Sequence, residues 1–323
     1  MRKPDFFLAG APKCGTRSMY EYLKPHPEIY LSPRKEPRYF ASDLDTGTAG
    51  DELFFVRELD EYLGLFQGAT DQKRVGEASV QYLYSRVAAE NIRVFNPDSR
   101  FLVMLRNPVE AVHSMHAQRL AGGAEDIADF EAALDAEDDR RDGRRIPPGS
   151  FHVKGLIYRD VARFGEQVER WLGVFPRERF HFVIFDDLRD DAPGVYRRVL
   201  EFLEVEPAFR PPTFDVMNQS KRVRSGALRR VLRSPTGHRI AERVVPEWVI
   251  GAVRPLLQPL YRANTKVEKR APMRPETRAR LEEVFAPDVA LLSELLERDL
   301  SRIWFGADAR GRDAVRMGVE PTG

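Results

Sequence analysis

The sequence predicts an α/β protein: a P-loop-like three-layer fold with a central, mostly parallel sheet flanked by helices. Three observations predict it. Short apolar runs at Phe6–Gly10, Phe101–Leu105 and Phe180–Phe185 read as buried strands. Helix-like patterns lie between them, and strands alternating with helices indicate a parallel sheet covered on both faces. The first run leads through a Gly/Pro-punctuated turn into a helix opening, at Gly10-Ala11-Pro12-Lys13-Cys14-Gly15-Thr16-Arg17-Ser18.

Taken in order, the remaining elements follow from pattern and punctuation. Arg74–Ala78 is a weaker strand. Ser85 caps a helix whose apolar positions include Val87, Ala88, Ile92 and Phe95. Asn107-Pro108 is an N-cap followed by proline at the first helical position, leading into Val109, Val112, Met115 and Leu120. Val161, Phe164, Val168, Trp171 and Leu172 recur at helical spacing before the turn at Pro176, and Pro193 starts another helix. A last helical region spans Pro275–Trp304, and Pro287 is expected to split it. The polar stretches Ser42–Asp51 and Ala121–Ser150 read as insertions or lids, and the charge run Glu137–Arg141 as a solvated face. The expected organisation is one domain over residues 1–305, with lid or insert segments near 42–66, 121–150 and 219–265. The apolar-poor tail 306–323 reads as disordered.

The bulk numbers bound the function. With 323 residues the chain can bury a substantial core. A net charge of +1 argues against a whole-surface nucleic-acid binder, so any basic surface is local. The single cysteine excludes an intramolecular disulfide and fits a reducing compartment. The first strand begins at Phe6, which leaves no room for a secretory signal, and the apolar stretch Val244–Tyr261 is broken by prolines and charges. A cytoplasmic protein without stable membrane insertion is expected.

Three constellations carry chemistry. The first turn builds an anion site from helix N-terminal N–H groups, hydroxyls and a lysine ammonium. It resembles a P-loop with its lysine displaced. In G-x-x-x-x-G-K-[ST] the lysine follows the second glycine, whereas Lys13 precedes Gly15. The second is Arg106 at the end of a strand with Ser114 nearly two turns into the next helix. A guanidinium there suits a bidentate phosphate grip, or a carboxylate partner with Ser114 merely on the helix surface. The third is Lys35-Glu36-Pro37-Arg38, where cations flank a carboxylate able to accept a proton; a mixed-charge turn is the plainer reading.

These motifs, in this order, resemble the sulfotransferases that use 3'-phosphoadenosine 5'-phosphosulfate (PAPS), and more closely the heparan-sulfate/bacterial branch. The resemblance spans roughly Phe6 to Phe185 and continues weakly beyond. It implies that Lys13, Cys14, Gly15, Thr16, Arg17 and Ser18 form the loop that holds the 5'-phosphosulfate end of PAPS. It implies that Arg106 and Ser114 grip the 3'-phosphate, that Glu36 is the general base and that Lys13 stabilises the leaving phosphate. The product would be 3'-phosphoadenosine 5'-phosphate (PAP), with no metal required. The acceptor would be a hydroxyl of a carbohydrate or small metabolite. Tyr158 would border the adenine, and Lys221, Arg222 and Arg224 would supply cations from a late basic loop.

Alternatives stay open at this point. Cys14 is either a small residue lining the loop or a nucleophile. His113 and His116 are either helix residues or substitutes for Glu36 as base. The basic loop could instead meet nucleic acid, although it lacks interleaved aromatics. Val244–Tyr261 is either core or a lid over the acceptor. Two other functions compete: a P-loop nucleotide kinase, which would need Mg²⁺ and ATP, and a non-catalytic nucleotide-binding protein.

Overall fold

The computed structural model describes residues 2–47, 55–147, 150, 153–215 and 272–306, together with the backbone of 221–223 and 265–267. Five strands make one parallel sheet in the order β2-β3-β1-β4-β5, and helices flank it. They are β1 (Phe6–Gly10), β2 (Ile29–Leu31), β3 (Arg74–Ala78), β4 (Arg100–Leu105) and β5 (Phe180–Ile184). The predicted α/β class is the observed one. Every residue of β1 is buried, as expected of a central parallel strand covered on both faces. Phe7 stacks on Phe101 at 5.9 Å and Phe101 on Phe180 at 5.1 Å, so aromatic packing runs across three adjacent strands.

The helices before β5 are α1 (Thr16–Leu23), α2 (Leu59–Gly64), α3 (Ala88–Phe95), α4 (Pro108–Gly122), α5 (Phe130–Asp135), α6 (Glu137–Arg141), α7 (Tyr158–Val161) and α8 (Phe164–Leu172). After it come α9 (Phe185–Asp190), α10 (Ala192–Phe202), α11 (Pro275–Leu295) and α12 (Leu300–Phe305). Asn107 caps α4 as expected, whereas α3 is flanked by Val87 and Ser85 bonds its first turn from two residues further back. Ser85 Oγ accepts the Ala88 N–H at 3.1 Å, and Asn107 Oδ1 accepts that of Val109 at 2.9 Å. A two-stranded antiparallel ribbon pairs β6 (Lys221–Val223) with β7 (Thr265–Val267).

Several local expectations change. Strand β5 stops at Ile184, and Phe185 begins a helix. The pattern over 161–172 divides into α7 and α8 around Ala162 and Arg163. Helix α11 runs through Pro287 unbroken. Its buried Leu281, Phe285, Val289 and Leu292 hold it together, and the carboxylate of Asp288 accepts the N–H groups of Gly165 and Glu166, both at 2.9 Å. Tertiary packing outweighs the proline's lost donor. The charge run at Glu137–Arg141 is not wholly a solvated face. Glu137 is 0% and Arg140 1% exposed, because helical spacing turns both inward. There Arg140 meets Glu125 at 2.7 Å and Arg159 meets Glu137 at 2.6 Å. Within the 42–66 insert, Tyr62 and Phe66 are core residues. Residues 48–54, Val244–Tyr261 and 307–323 lie outside the described residues. No described helix is long and apolar enough to cross a membrane.

Candidate active site

The strand order reverses at β1, with β3 and β2 on one side and β4 and β5 on the other. Parallel sheets bind ligands beyond strand carboxyl ends at such a reversal. The Ala11–Gly15 loop leaves β1 there, pinned by the Ala11 N–H to the Met104 carbonyl at 2.7 Å. Both glycines are required. A Cβ on Gly10 would fall 2.6 Å from Leu83 Cβ. Gly15 has φ 88°, and its Cβ would come within 3.0 Å of Leu188 and Phe185. Helix α1 then starts without a side-chain cap. Its first-turn N–H groups therefore lack both an intrahelical acceptor and a cap, which favours an anion at that end.

Around this turn Lys13 is partly exposed with φ 66°, Arg17 is exposed, and Thr16 and Ser18 are nearly buried. Cys14 lies beneath the loop. Its thiol is fully buried and donates to the Pro12 carbonyl at 3.4 Å, and burial pushes its pKa up to about 12. It is the small lining residue, since a thiol so rarely ionised is a poor nucleophile.

Arg106 emerges from β4 against the loop. One guanidinium nitrogen donates to the Lys13 carbonyl at 3.5 Å, another faces Glu110 at 3.5 Å, and the group lies 4.7 Å over the Phe185 ring. Glu110 also pairs with Arg278. The carboxylate partner read from the sequence is present, and the same guanidinium stands against the loop that follows β1. Ser114 is buried in α4. The backbone of β6 runs beside α4, which brings Lys221 and Arg222 to that helix. Arg224 lies outside the described residues.

Glu36 joins the same edge of the sheet. Its N–H donates to the carbonyl of Ala78 at 2.8 Å, and Ala78 is the register partner of Leu8 in β1. Its carboxylate accepts Lys35 Nζ at 2.7 Å and the Val80 N–H at 3.2 Å, with Arg38 Nε at 3.6 Å. Lys13, Glu36 and Arg38 are three of the six non-glycine residues with positive φ among those described. Such conformations cost of order 1–3 kcal/mol each and cluster at functional sites.

Sequence reasoning missed the layer behind Glu36. Glu77 in β3 is fully buried, and burial raises its pKa to about 7, with the Glu36 charge adding to the shift. Ser79 Oγ donates to Glu77 at 2.8 Å and accepts the Arg38 N–H at 3.0 Å, while the Tyr62 hydroxyl donates to Glu77 at 3.3 Å. This chain anchors Arg38 beside Glu36. A glutamate inside the weak strand Arg74–Ala78, two residues before Ser79, was the available signal.

The side chains of three further residues singled out from the sequence make other contacts. Tyr158 is 0% exposed and donates its hydroxyl to Glu125 at 2.7 Å. His116 is buried with Nε2 2.9 Å from the Ile127 carbonyl, and burial lowers its pKa. His113 packs on the Phe130 ring at 4.9 Å. These contacts fit the reading of both histidines as helix residues. Two aspartates lie just past β5 in the first turn of α9, but Asp186 is held by Arg189 and Trp304, and Asp187 by Arg298.

A parallel sheet with an uncapped, glycine-bounded loop at its reversal, and a cation-flanked carboxylate at the same edge, has the build of an α/β group-transfer enzyme. The chain belongs to the sulfotransferase family, whose model, described as "Sulfotransferase domain", matches residues 3–230. It is similar to a sulfotransferase of known crystal structure from Alicyclobacillus acidocaldarius, at 30% identity and a TM-score of 0.70, covering 94% of this chain and 99% of that one. Human heparan sulfate glucosamine 3-O-sulfotransferase 6 is 28% identical over 202 residues, 62% of this chain and 52% of its own. Human carbohydrate sulfotransferase 15 is 24% identical over 251 residues, 63% of this chain and 44% of its own. The chain therefore spans about half the length of the curated relatives it matches.

Proposed function

We propose that this chain transfers a sulfuryl group from PAPS to a hydroxyl of a carbohydrate or small-metabolite acceptor and releases PAP. One observation carries the reading: Glu36 and the Lys13–Ser18 loop share one edge of the sheet, tied through Ala78 and its register partner Leu8. The loop suits the phosphosulfate end of the donor, because N–H groups, hydroxyls and cations can spread its charge. Arg106 and Ser114 would hold the 3'-phosphate, with Lys221, Arg222 and Arg224 as further cations.

In this mechanism Glu36 takes the proton from the acceptor hydroxyl as that oxygen bonds to sulfur. The bond from sulfur to the bridging oxygen breaks, and its electron pair stays on the phosphate. Lys13 and the first-turn N–H groups neutralise that charge as it develops, the demand that phosphoryl transfer also makes. Lys35 and Arg38 keep the Glu36 carboxylate aimed. The relatives' names, with glucosamine and carbohydrate as acceptors, favour a sugar hydroxyl.

The test is transfer from PAPS to a panel of sugars, read by mass spectrometry of the sulfated product. Glu36→Gln should lose about two to four decades of turnover while PAP affinity stays within about twofold. Unchanged turnover would remove Glu36 from the mechanism.

A further inference from the structure

A cavity of about 510 Å³ opens between the turn at Asp43, the segment Tyr84–Arg86 and helices α6 to α8. None of the donor-loop residues, nor Glu36, Arg106 or Ser114, lines it. Its charges do not balance. Arg141 pairs with Asp160 and Arg163 with Glu166, but Arg86, Lys154 and Arg170 have no carboxylate within ion-pair distance among the described residues. Lys154 and Arg170 instead reach main-chain carbonyls, of Asp43 and of Leu83, Tyr84 and Ser85. Burial first, and then the neighbouring Arg86 charge, disfavour the Arg170 cation, and the Asp43 and Glu166 charges offset them only in part.

Two polar atoms of residues that line this cavity are buried without a partner among the described residues. Arg170 Nε is a donor, and Gln167 Oε1 is an acceptor on a side chain only 3% exposed. The Gln167 amide cannot be turned around to relieve this. Its Nε2 donates to the carbonyls of Asp160 and Val161, at 3.1 and 3.2 Å, and an oxygen there would meet two acceptors. Buried polar groups without partners are costly and call for one. What binds there has to bring negative charge to Arg86 and Lys154 beside Arg170, and hydroxyls suit the polar groups between them. The volume lies within the range of small-molecule sites.

We infer that this cavity is a second binding site, for a hydroxyl-bearing organic anion of single-sugar size, separate from the donor loop. Arg170 of this cavity donates to the Leu83 carbonyl at 2.8 Å, and Leu83 in turn lies against Gly10 and donates its N–H to the Ala9 carbonyl at 2.8 Å, which links the cavity wall to the start of that loop.

Saturation-transfer NMR on the full chain, without PAPS, tests the inference independently of sulfuryl transfer. D-glucuronate, D-glucose and inorganic sulfate are the probes. Glucuronate should bind saturably, sulfate should compete with it, and glucose should bind at least about tenfold more weakly, since it lacks the charge. Arg86→Gln with Lys154→Gln, both exposed positions that spare the fold, should weaken glucuronate by about tenfold or more. Gln167→Glu, which places like charge in the cavity, should abolish it. Absence of saturable glucuronate binding, equal binding of glucose, sulfate binding alone, or indifference to these substitutions would each overturn the proposal.

Discussion

Arg106 donates to the main-chain carbonyl of Lys13 across 3.5 Å, so the end of β4 is fastened to the anion loop that follows β1. The two motifs meet at the crevice where the strand order reverses. The contact uses one arm of a planar guanidinium whose others face Glu110 and the Phe185 ring. A lysine cannot make all three contacts. Arg106→Lys should weaken PAP about ten- to hundredfold in calorimetry. Wild-type affinity would separate Arg106 from the donor site.

Stability should carry the signature of Glu77. Its pKa is raised from 4.5 to about 7, chiefly by burial. The folded state then holds a proton that the unfolded chain has lost, so this residue's contribution is full below about pH 4.5 and is lost as pH rises through about 7. Glu77→Gln removes the titration. Urea denaturation across that window should show the wild type losing ground to the variant, by at most about 1.4 kcal/mol per pH unit. Parallel pH profiles would show that Glu77 does not titrate there.

Cys14 should resist alkylation. With a thiol pKa near 12, about one molecule in ten thousand carries the thiolate at about pH 8, and the side chain is buried besides. Iodoacetamide labelling followed by mass spectrometry should be slow in the folded protein and rapid in denaturant. Rapid labelling of the folded chain would return Cys14 to the list of nucleophiles.

Helix α11 should depend on Asp288 more than on Pro287. The buried Asp288 carboxylate satisfies the N–H groups of Gly165 and Glu166 at the start of α8. Asp288→Ala leaves both unpaired and should cost about 1–3 kcal/mol in urea denaturation. A loss within about 0.5 kcal/mol would show that solvent replaces the contact.

Much of this arrangement was legible in the chain. The buried runs at Phe6 and Phe101 mark strands because parallel strands are apolar on both faces, and Asn107-Pro108 marks a helix start by its own chemistry. The loop was legible for the same local reason, through Gly10, Gly15 and the displaced Lys13. What was not legible depends on contacts between distant segments. Strand β2 is three residues long and exists by pairing with β3. Glu137 and Arg140 look like surface charges until Arg159 and Glu125 meet them in the interior. Pro287 reads as a break until Asp288 is seen joining α8. The layer behind Glu36 needs Glu77, Ser79 and Arg38 brought together across forty-odd residues of sequence.

A loop with lysine before its second glycine should select a phosphosulfate donor over a nucleoside triphosphate. Calorimetric titration of PAP and of ATP, without divalent metal, tests it most directly on the wild type and Lys13→Ala. PAP should bind at least about a hundredfold more tightly than ATP, and Lys13→Ala should lose about tenfold or more of that affinity. Preference for ATP, or PAP binding indifferent to Lys13, would contradict the account.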